Sequence, residues 1–80
     1  MRSQQAFELF PGIIVDPTIR FGKPVMKGTR VPVDLLVGKV AGGMSSDVVA
    51  SEYDVTVEDV RAALRYAAHF LTEESIYATR

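Results

Sequence analysis

The segment Gly22–Val33, which reads GKPVMKGTRVPV, restricts the fold more than any other stretch of the chain. It places two prolines, two glycines and three basic residues between apolar residues in extended spacing. Each proline disfavours helical backbone at the residue before it, and Gly28 supplies the positive φ that a tight turn after Lys27 requires. The segment therefore predicts a small basic hairpin. Pro32 lacks a backbone donor and fits best at the first position of a helix.

The composition is typical of a small folded domain. The chain has 80 residues, of which 48% are hydrophobic and 24% are charged, so we expect one domain with a modest core rather than disorder. It contains no cysteine, which excludes disulfides and thiolate metal sites. The N-terminus lacks the layout of a signal peptide, and the apolar runs are too short to span a membrane. We therefore expect a cytoplasmic protein without a membrane partner.

Charge is distributed unevenly, although the net charge is only −1. Residues 1–40 carry six basic and three acidic residues, whereas residues 41–80 carry three basic and seven acidic residues. Positive charge is concentrated between Arg20 and Arg30, where no acidic residue intervenes. If the protein binds a polyanion, the hairpin is the expected contact.

A short strand is predicted at Ile13–Val15, because these β-branched residues follow the Pro11-Gly12 turn and precede Asp16-Pro17. An isolated hairpin is marginal in water. The strand is therefore expected to pair with Pro24–Met26, with Arg30-Val31 or with a second copy of the chain. An unprotected edge of such a sheet favours pairing across a twofold axis, so we expect a homodimer.

From Pro32 onward the apolar residues follow helical spacing. A first helix is predicted from apolar residues at i, i+3, i+4 and i+7, namely Val33, Leu36, Val37 and Val40. Gly42-Gly43 ends it, and Ser45 is a good N-cap for a second helix from Ser46 to about Tyr53. Thr56 is predicted to cap a third helix.

The third helix is the longest, and its apolar stripe predicts the buried side. The predicted buried residues are Val60, Ala63, Leu64, Ala67, Phe70 and Leu71. The predicted solvent-facing residues are Glu58, Arg61, Ala62, Arg65 and His69. Three helices joined by short turns have the layout of a helix-turn-helix domain. The predicted fold is therefore mainly α, with a three-helix domain preceded by a short β-strand or hairpin element.

In a helix-turn-helix protein the third helix enters the major groove of DNA with its first turns. Here those turns present Glu58 and Asp59, whose carboxylates repel phosphate. Arg61 and Arg65 lie one turn apart and are DNA-binding candidates, although two exposed arginines on a helix are more often only a solvated face. Glu58 is also spaced for a local ion pair with Arg61.

The basic hairpin supplies the remaining DNA-binding candidates. Arg30 is expected mainly to pair with Asp16 or Asp34 and to fix the hairpin to the first helix, with direct contact to DNA or a protein partner as the weaker alternative. Lys23 and Lys27 flank a turn and have little structural work available, so they are the better candidates for phosphate contact.

Six motifs stand out between residues 13 and 70, namely Asp16-Pro17, Gly22–Val25, Lys27–Val33, Gly43–Ser45, Tyr53 and Ala62–Ala67. Together they resemble the family catalogued as domain of unknown function 433. The resemblance implies a homeodomain-like three-helix fold preceded by a β-element. Members are often regarded as antitoxins similar to VapB-type proteins, encoded beside a PIN-like nuclease toxin.

Such an antitoxin binds its own promoter DNA, commonly as a dimer, and blocks the toxin with a segment outside the DNA-binding domain. We assign residues 13–71 to a domain of a β-hairpin plus three helices, between an N-terminal arm of residues 1–12 and a short C-terminal tail of residues 72–80. The partner-binding candidates are the apolar residues of the arm and the tail, namely Phe7, Leu9, Phe10, Ile76 and Tyr77. The alternative is a protein-interaction module whose degenerate helix-turn-helix does not bind DNA.

Catalysis has little support in the sequence. His69 is the only histidine, and no acidic pair is spaced to join it at a metal ion. No glycine-rich phosphate loop follows a strand and opens a helix. We therefore expect a non-enzyme without a metal or cofactor.

Overall fold

The computed structural model describes residues 5–78, and the side chains of residues 5–72. Three strands come first: β1 (Phe7–Phe10), β2 (Ile13–Val15) and β3 (Val25–Met26). Three helices follow: α1 (Val33–Ala41), α2 (Ser46–Tyr53) and α3 (Val57–Ala78). The fold is a small α+β domain rather than the mainly α domain that the sequence predicted, because the N-terminal segment forms a three-stranded sheet.

The sheet is antiparallel, in the order β1-β2-β3. β2 pairs with β3, with Ile13 opposite Met26, which confirms one of the three predicted pairings. The sequence assigned β1 to an N-terminal arm, whereas in the structure this segment pairs with the other side of β2, with Phe7 opposite Val15. A β-bulge shifts the register within β1. Bulges of this kind protect an edge strand from further pairing.

The predicted hairpin has β3 as its first arm, in which Val25 bridges Pro32, and it leads directly into α1. Gly28 has a φ of +79°, as its turn requires. The Thr29 hydroxyl donates to the Met26 carbonyl at 2.9 Å and accepts from the Val31 N–H at 2.9 Å, so it closes the turn from within. Pro32 occupies the N-cap position of α1, one residue before the predicted place.

Side-chain capping fixes the starts of α2 and α3. The Ser45 hydroxyl accepts a hydrogen bond from the Val48 N–H at 3.2 Å, as predicted. At α3, the Thr56 hydroxyl accepts from the Asp59 N–H at 2.9 Å, while the Asp59 carboxylate accepts from the Thr56 N–H at 3.0 Å. This reciprocal capping satisfies two backbone donors that the helix leaves without partners.

The core joins the sheet to all three helices. Five of its fully buried side chains come from five different elements, namely Ile13, Met26, Leu36, Val49 and Val60. Burial of each side chain of this size stabilises the fold by about 1.5–3 kcal/mol. The sheet and the helices therefore form one packed unit rather than a helical domain with a loose arm.

The burial of side chains on α3 differs from the prediction in both directions: one residue is buried that was predicted to be exposed, and two are exposed that were predicted to be buried. Ala62 was predicted to face solvent but is only 5% exposed, because it packs against the β1–β2 turn, where a Cβ added at Gly12 would lie 3.4 Å from the Ala62 Cβ. Phe70 and Leu71 were predicted to be buried but are 61% and 60% exposed. The second half of α3 runs past the other elements of the core.

The predicted C-terminal tail continues α3 as far as Ala78, and residues 79 and 80 lie outside the described part of the chain. Within residues 5–78, none of the helices combines the length and hydrophobicity needed to cross a bilayer.

Candidate functional site

The two lysines of the basic hairpin are both held in ion pairs. Lys23 Nζ lies 2.8 Å from Asp34 Oδ2 on α1, and Lys27 Nζ lies 3.8 Å from Glu8 Oε1 on β1. The expectation that these lysines have little structural work is therefore wrong, because they connect the hairpin to its neighbours. All four side chains are substantially exposed, so each pair contributes at most about 1 kcal/mol.

Asp34 and Asp16 have partners other than the predicted one. The hydrogen bond from Lys23 holds the pKa of the Asp34 carboxyl below its ordinary value. The Asp16 carboxylate accepts hydrogen bonds from the Thr18 hydroxyl at 2.7 Å and the Thr18 N–H at 2.9 Å, and these bonds lower its pKa. Neither carboxylate forms the predicted ion pair with Arg30.

The arginines of α3 share a single acidic partner. The carboxylate of Glu58 lies 3.9 Å from Arg61 Nη1, which confirms the predicted pair, and 2.7 Å from Arg65 Nη2. The three side chains remain more than half exposed. The positive charge of both guanidinium groups is thus partly compensated on the helix itself, and Asp59 in the same turn adds further negative charge.

Residues Arg20–Gly22 form a turn of unusual handedness, which we call the left-handed turn. The φ angles of its three residues are +53°, +57° and +83°. Two hydrogen bonds close it, from the Gly22 N–H to the Ile19 carbonyl and from the Lys23 N–H to the Arg20 carbonyl, both at 3.0 Å. A residue with a Cβ pays about 1–2 kcal/mol in this conformation. At its apex Phe21 is 103% exposed.

The left-handed turn also brings two arginines together. Arg20 Nε donates a hydrogen bond to the Arg30 carbonyl at 3.3 Å, which ties the turn to the basic hairpin. Of the lysines and arginines between positions 5 and 72, only Arg20, Arg30 and Lys39 take no part in an ion pair. The turn therefore combines the fully exposed ring of Phe21 with the guanidinium group of Arg20, which is in no ion pair and contacts the backbone of Arg30, a second arginine without an ion pair.

The sequence alone does not identify Phe21 as a candidate site residue. The one available signal is an aromatic residue between Arg20 and Gly22 in a loop, and this pattern does not reveal a left-handed backbone. Its exposure becomes evident only from the conformation of the turn.

An open apolar groove of about 270 Å³ lies between α1 and the second half of α3. Its principal apolar lining residues are Pro24, Val33, Val37, Ala67, Phe70 and Leu71, together with the aromatic ring of Tyr66. The predicted partner-binding residues Ile76 and Tyr77 lie farther along α3, and their side chains are outside the described part of the chain.

The partner-binding candidates of β1 divide into two kinds. Phe7 and Leu9 are 55% and 42% exposed and are accessible to a partner. Phe10 is half-buried instead, because its ring packs edge-on against Tyr66, with ring centroids 5.4 Å apart, and lies 5.5 Å from the ring of His69. Phe10 therefore fastens the sheet to α3.

Metal binding has no geometric basis among the described side chains, because no group of three or more histidine or acidic residues there is placed to hold an ion. The basic surface around the left-handed turn and the apolar groove along α3 are two features that a ligand can use.

Comparison with known proteins identifies the family. No curated protein matches the chain. The X-ray crystal structure of Rv2018 from Mycobacterium tuberculosis is similar, with 31% sequence identity and a TM-score of 0.67 over 75% of this chain. The match covers only 30% of that longer chain. The family model described as protein of unknown function (DUF433) matches residues 13–67. Since this match covers most of the chain, the protein belongs to the DUF433 family.

Proposed function

We propose that the chain is the antitoxin-like component of a type II toxin–antitoxin module, which binds a PIN-like nuclease toxin and its own promoter DNA. The observation that carries the proposal is the apolar groove between α1 and α3, flanked by the exposed side chains of Phe70 and Leu71. A contiguous apolar surface that remains exposed on a small protein typically marks a protein-interaction site. The groove is such a surface, and it uses the second half of α3 rather than the first turns of that helix.

DNA binding is the second part of the proposal. α2, the short turn after it and α3 act in this proposal as a homeodomain-like helix-turn-helix. The protein acts in the cytoplasm and associates as a homodimer. β1 lies at the edge of the sheet and exposes Phe7 and Leu9, which supports association, although its bulge limits direct strand pairing.

The second candidate function is a protein-interaction module that does not bind DNA through its third helix. The charge of α3 favours this alternative, because Glu58 partly neutralises both Arg61 and Arg65. A helix that enters the major groove with acidic first turns is repelled by phosphate.

Partner binding is tested by isolating the tagged chain from its native cell and identifying the co-purifying proteins by mass spectrometry. We expect a small PIN-like nuclease, which the purified chain inhibits in an RNA-cleavage assay. The double variant Phe70→Ser with Leu71→Ser should lose inhibition, because both side chains are exposed and line the groove. Val48→Ser, which changes an exposed apolar residue of α2, is the matched control. Recovery of the chain without any nuclease would refute the antitoxin proposal.

The two candidate functions are separated by measuring promoter binding. Under the first, the logarithm of the affinity falls with the logarithm of salt concentration by about 0.9 for each phosphate neutralised. Arg61→Glu with Arg65→Glu should abolish that binding if α3 reads the DNA. Unchanged affinity in this variant would exclude α3 as the DNA-binding element, and intact nuclease inhibition without DNA binding by the wild type would support the second candidate.

A further inference from the structure

The left-handed turn places the ring of Phe21 in solvent, where it does not contribute to the packing of the domain. Arg20 and Phe21 both adopt positive φ angles, a conformation that residues with a Cβ avoid. The ring of Phe21 is fully exposed, so it adds nothing to the core in return. Strained backbone that projects a large apolar side chain into solvent is typical of a binding feature.

The charges beside Phe21 indicate the chemistry of the ligand. The Arg20 side chain donates a hydrogen bond to the backbone carbonyl of Arg30, and neither arginine is in any of the ion pairs of residues 5–72. No acidic residue occurs between positions 20 and 30. The nearest preceding carboxylate, Asp16, accepts two hydrogen bonds from Thr18. The carboxylate of Asp34 also reaches this region, but it is paired with Lys23. Arg20, Lys23 and Arg30 together with Asp34 therefore carry three positive charges and one negative charge, a net charge of +2, which suits a polyanion with apolar faces.

We propose that Phe21 is a wedge that inserts between stacked base pairs from the minor groove of duplex DNA, while Arg20 and Arg30 contact the flanking phosphates. The inference rests on the DNA-binding part of the proposed function, and it assigns that binding to the left-handed turn instead of α3. Apolar wedges beside arginine or lysine are a recurrent means by which minor-groove proteins unstack and kink a duplex. The two hydrogen bonds that close the turn fix the backbone that carries the ring.

The structure favours this surface over α3 for a specific electrostatic reason. The two arginines of α3 share the carboxylate of Glu58, whereas Arg20 and Arg30 have no such competitor. A phosphate group that approaches the left-handed turn therefore displaces no existing ion pair. A wedge also needs no helix in the major groove, so acidic first turns on α3 do not oppose it.

The inference is tested by fluorescence anisotropy with the duplex directly upstream of the protein's own gene. Phe21→Ala should bind this duplex about tenfold more weakly or worse, the effect of losing one base–aromatic stacking contact. Because the ring carries no charge, the salt dependence of Phe21→Ala should match that of the wild type. Arg20→Gln with Arg30→Gln should instead reduce the log–log salt slope by about 1.8, since each lost phosphate contact removes about 0.9.

Bending of the duplex gives a second and independent readout. Energy transfer between dyes at the two ends of the duplex should report a kink of about 20–90° with the wild type. Phe21→Ala should lose the kink, whereas Phe21→Leu, which keeps an apolar wedge, should retain part of it. Lys39→Gln, which removes an exposed lysine of α1 that is likewise in none of the ion pairs of residues 5–72, should change neither affinity nor bending. Thermal melting confirms that each variant is folded.

The outcomes separate this inference from the proposed function. If the wild type binds no promoter duplex, DNA binding and the wedge both fail. If the wild type binds while Phe21→Ala binds and bends DNA equally well, only the wedge is refuted. Tighter binding to the single-stranded oligonucleotide of the same sequence, with the Phe21→Ala loss confined to it, would also refute insertion into a duplex.

Discussion

Replacing Phe21 by glycine is expected to stabilise the domain while it removes the proposed DNA contact. Phe21 has a φ of +57°, and a residue with a Cβ pays about 1–2 kcal/mol to adopt this conformation. Glycine avoids that cost, but it gains about 0.5–1 kcal/mol of additional conformational freedom in the unfolded chain. The ring is 103% exposed, so its removal forfeits no core packing. The difference is a net stabilisation between about 0 and 1.5 kcal/mol, with a central value of about 0.75 kcal/mol.

Urea unfolding followed by circular dichroism measures this change directly. For a domain of this size, a gain of 1 kcal/mol raises the thermal midpoint by about 4–8 °C, so the central value of about 0.75 kcal/mol predicts that Phe21→Gly melts about 3–6 °C above the wild type. Phe21→Ala is the matched control, because alanine removes the same ring but keeps a Cβ on a positive-φ residue. It should leave stability nearly unchanged.

A Phe21→Gly variant that unfolds at lower urea concentration than the wild type would refute this reasoning. That result would mean that the exposed ring stabilises the folded state or that the left-handed backbone is not strained. Equal stabilisation by Phe21→Ala and Phe21→Gly would exclude backbone strain as the cause, since only glycine relieves it.

Three further predictions concern residues that stabilise the fold. Gly28→Ala should destabilise the domain by about 0.75 kcal/mol in urea, because the cost of about 1–2 kcal/mol for a Cβ at a φ of +79° exceeds the roughly 0.5–1 kcal/mol saved in the unfolded chain, and the Cβ meets no atom within 4 Å. Ala62→Leu should cost about 1–3 kcal/mol by overpacking the buried contact with the β1–β2 turn, and a silent substitution would contradict that burial. Lys23→Gln should raise the pKa of Asp34 toward its ordinary value of 3.8, observed by NMR titration of the carboxyl. The wild-type carboxylate stabilises the fold above that value and loses the contribution as the pH falls through its lowered folded pKa, so the variant should lose less stability in acid.

The parts of the fold that local chemistry controls were predictable from the sequence. The cap at Ser45 and the glycines after α1 fix the limits of the first two helices within a residue, because each acts on its own turn. The positive φ of Gly28 follows from the same local logic. Among the three pairings considered for Ile13–Val15, however, only the assembled domain selects β3, since strand pairing depends on residues distant in the chain.

The errors arose where tertiary contacts override a local pattern. Ala62 lies on the solvent side of the helical stripe by periodicity, but the β1–β2 turn covers it, and nothing in the sequence of α3 predicts that contact. Lys23 and Lys27 looked free because their acidic partners come from α1 and β1. The strained conformation at Phe21 was missed for a related reason, since turn propensities assign positive φ to glycine rather than to phenylalanine.

The sharing of one carboxylate by two arginines on α3 has an evolutionary consequence. Because Glu58 alone faces both Arg61 and Arg65, a single codon change at position 58 to glutamine or lysine would expose two cations one turn apart. At most surface positions, replacing one charged residue changes the net charge of the surface by one unit and leaves the other charges as they were. Here one substitution would convert a nearly balanced helix face into a basic one, and related proteins with this fold could acquire or lose affinity for nucleic acid in one mutational step.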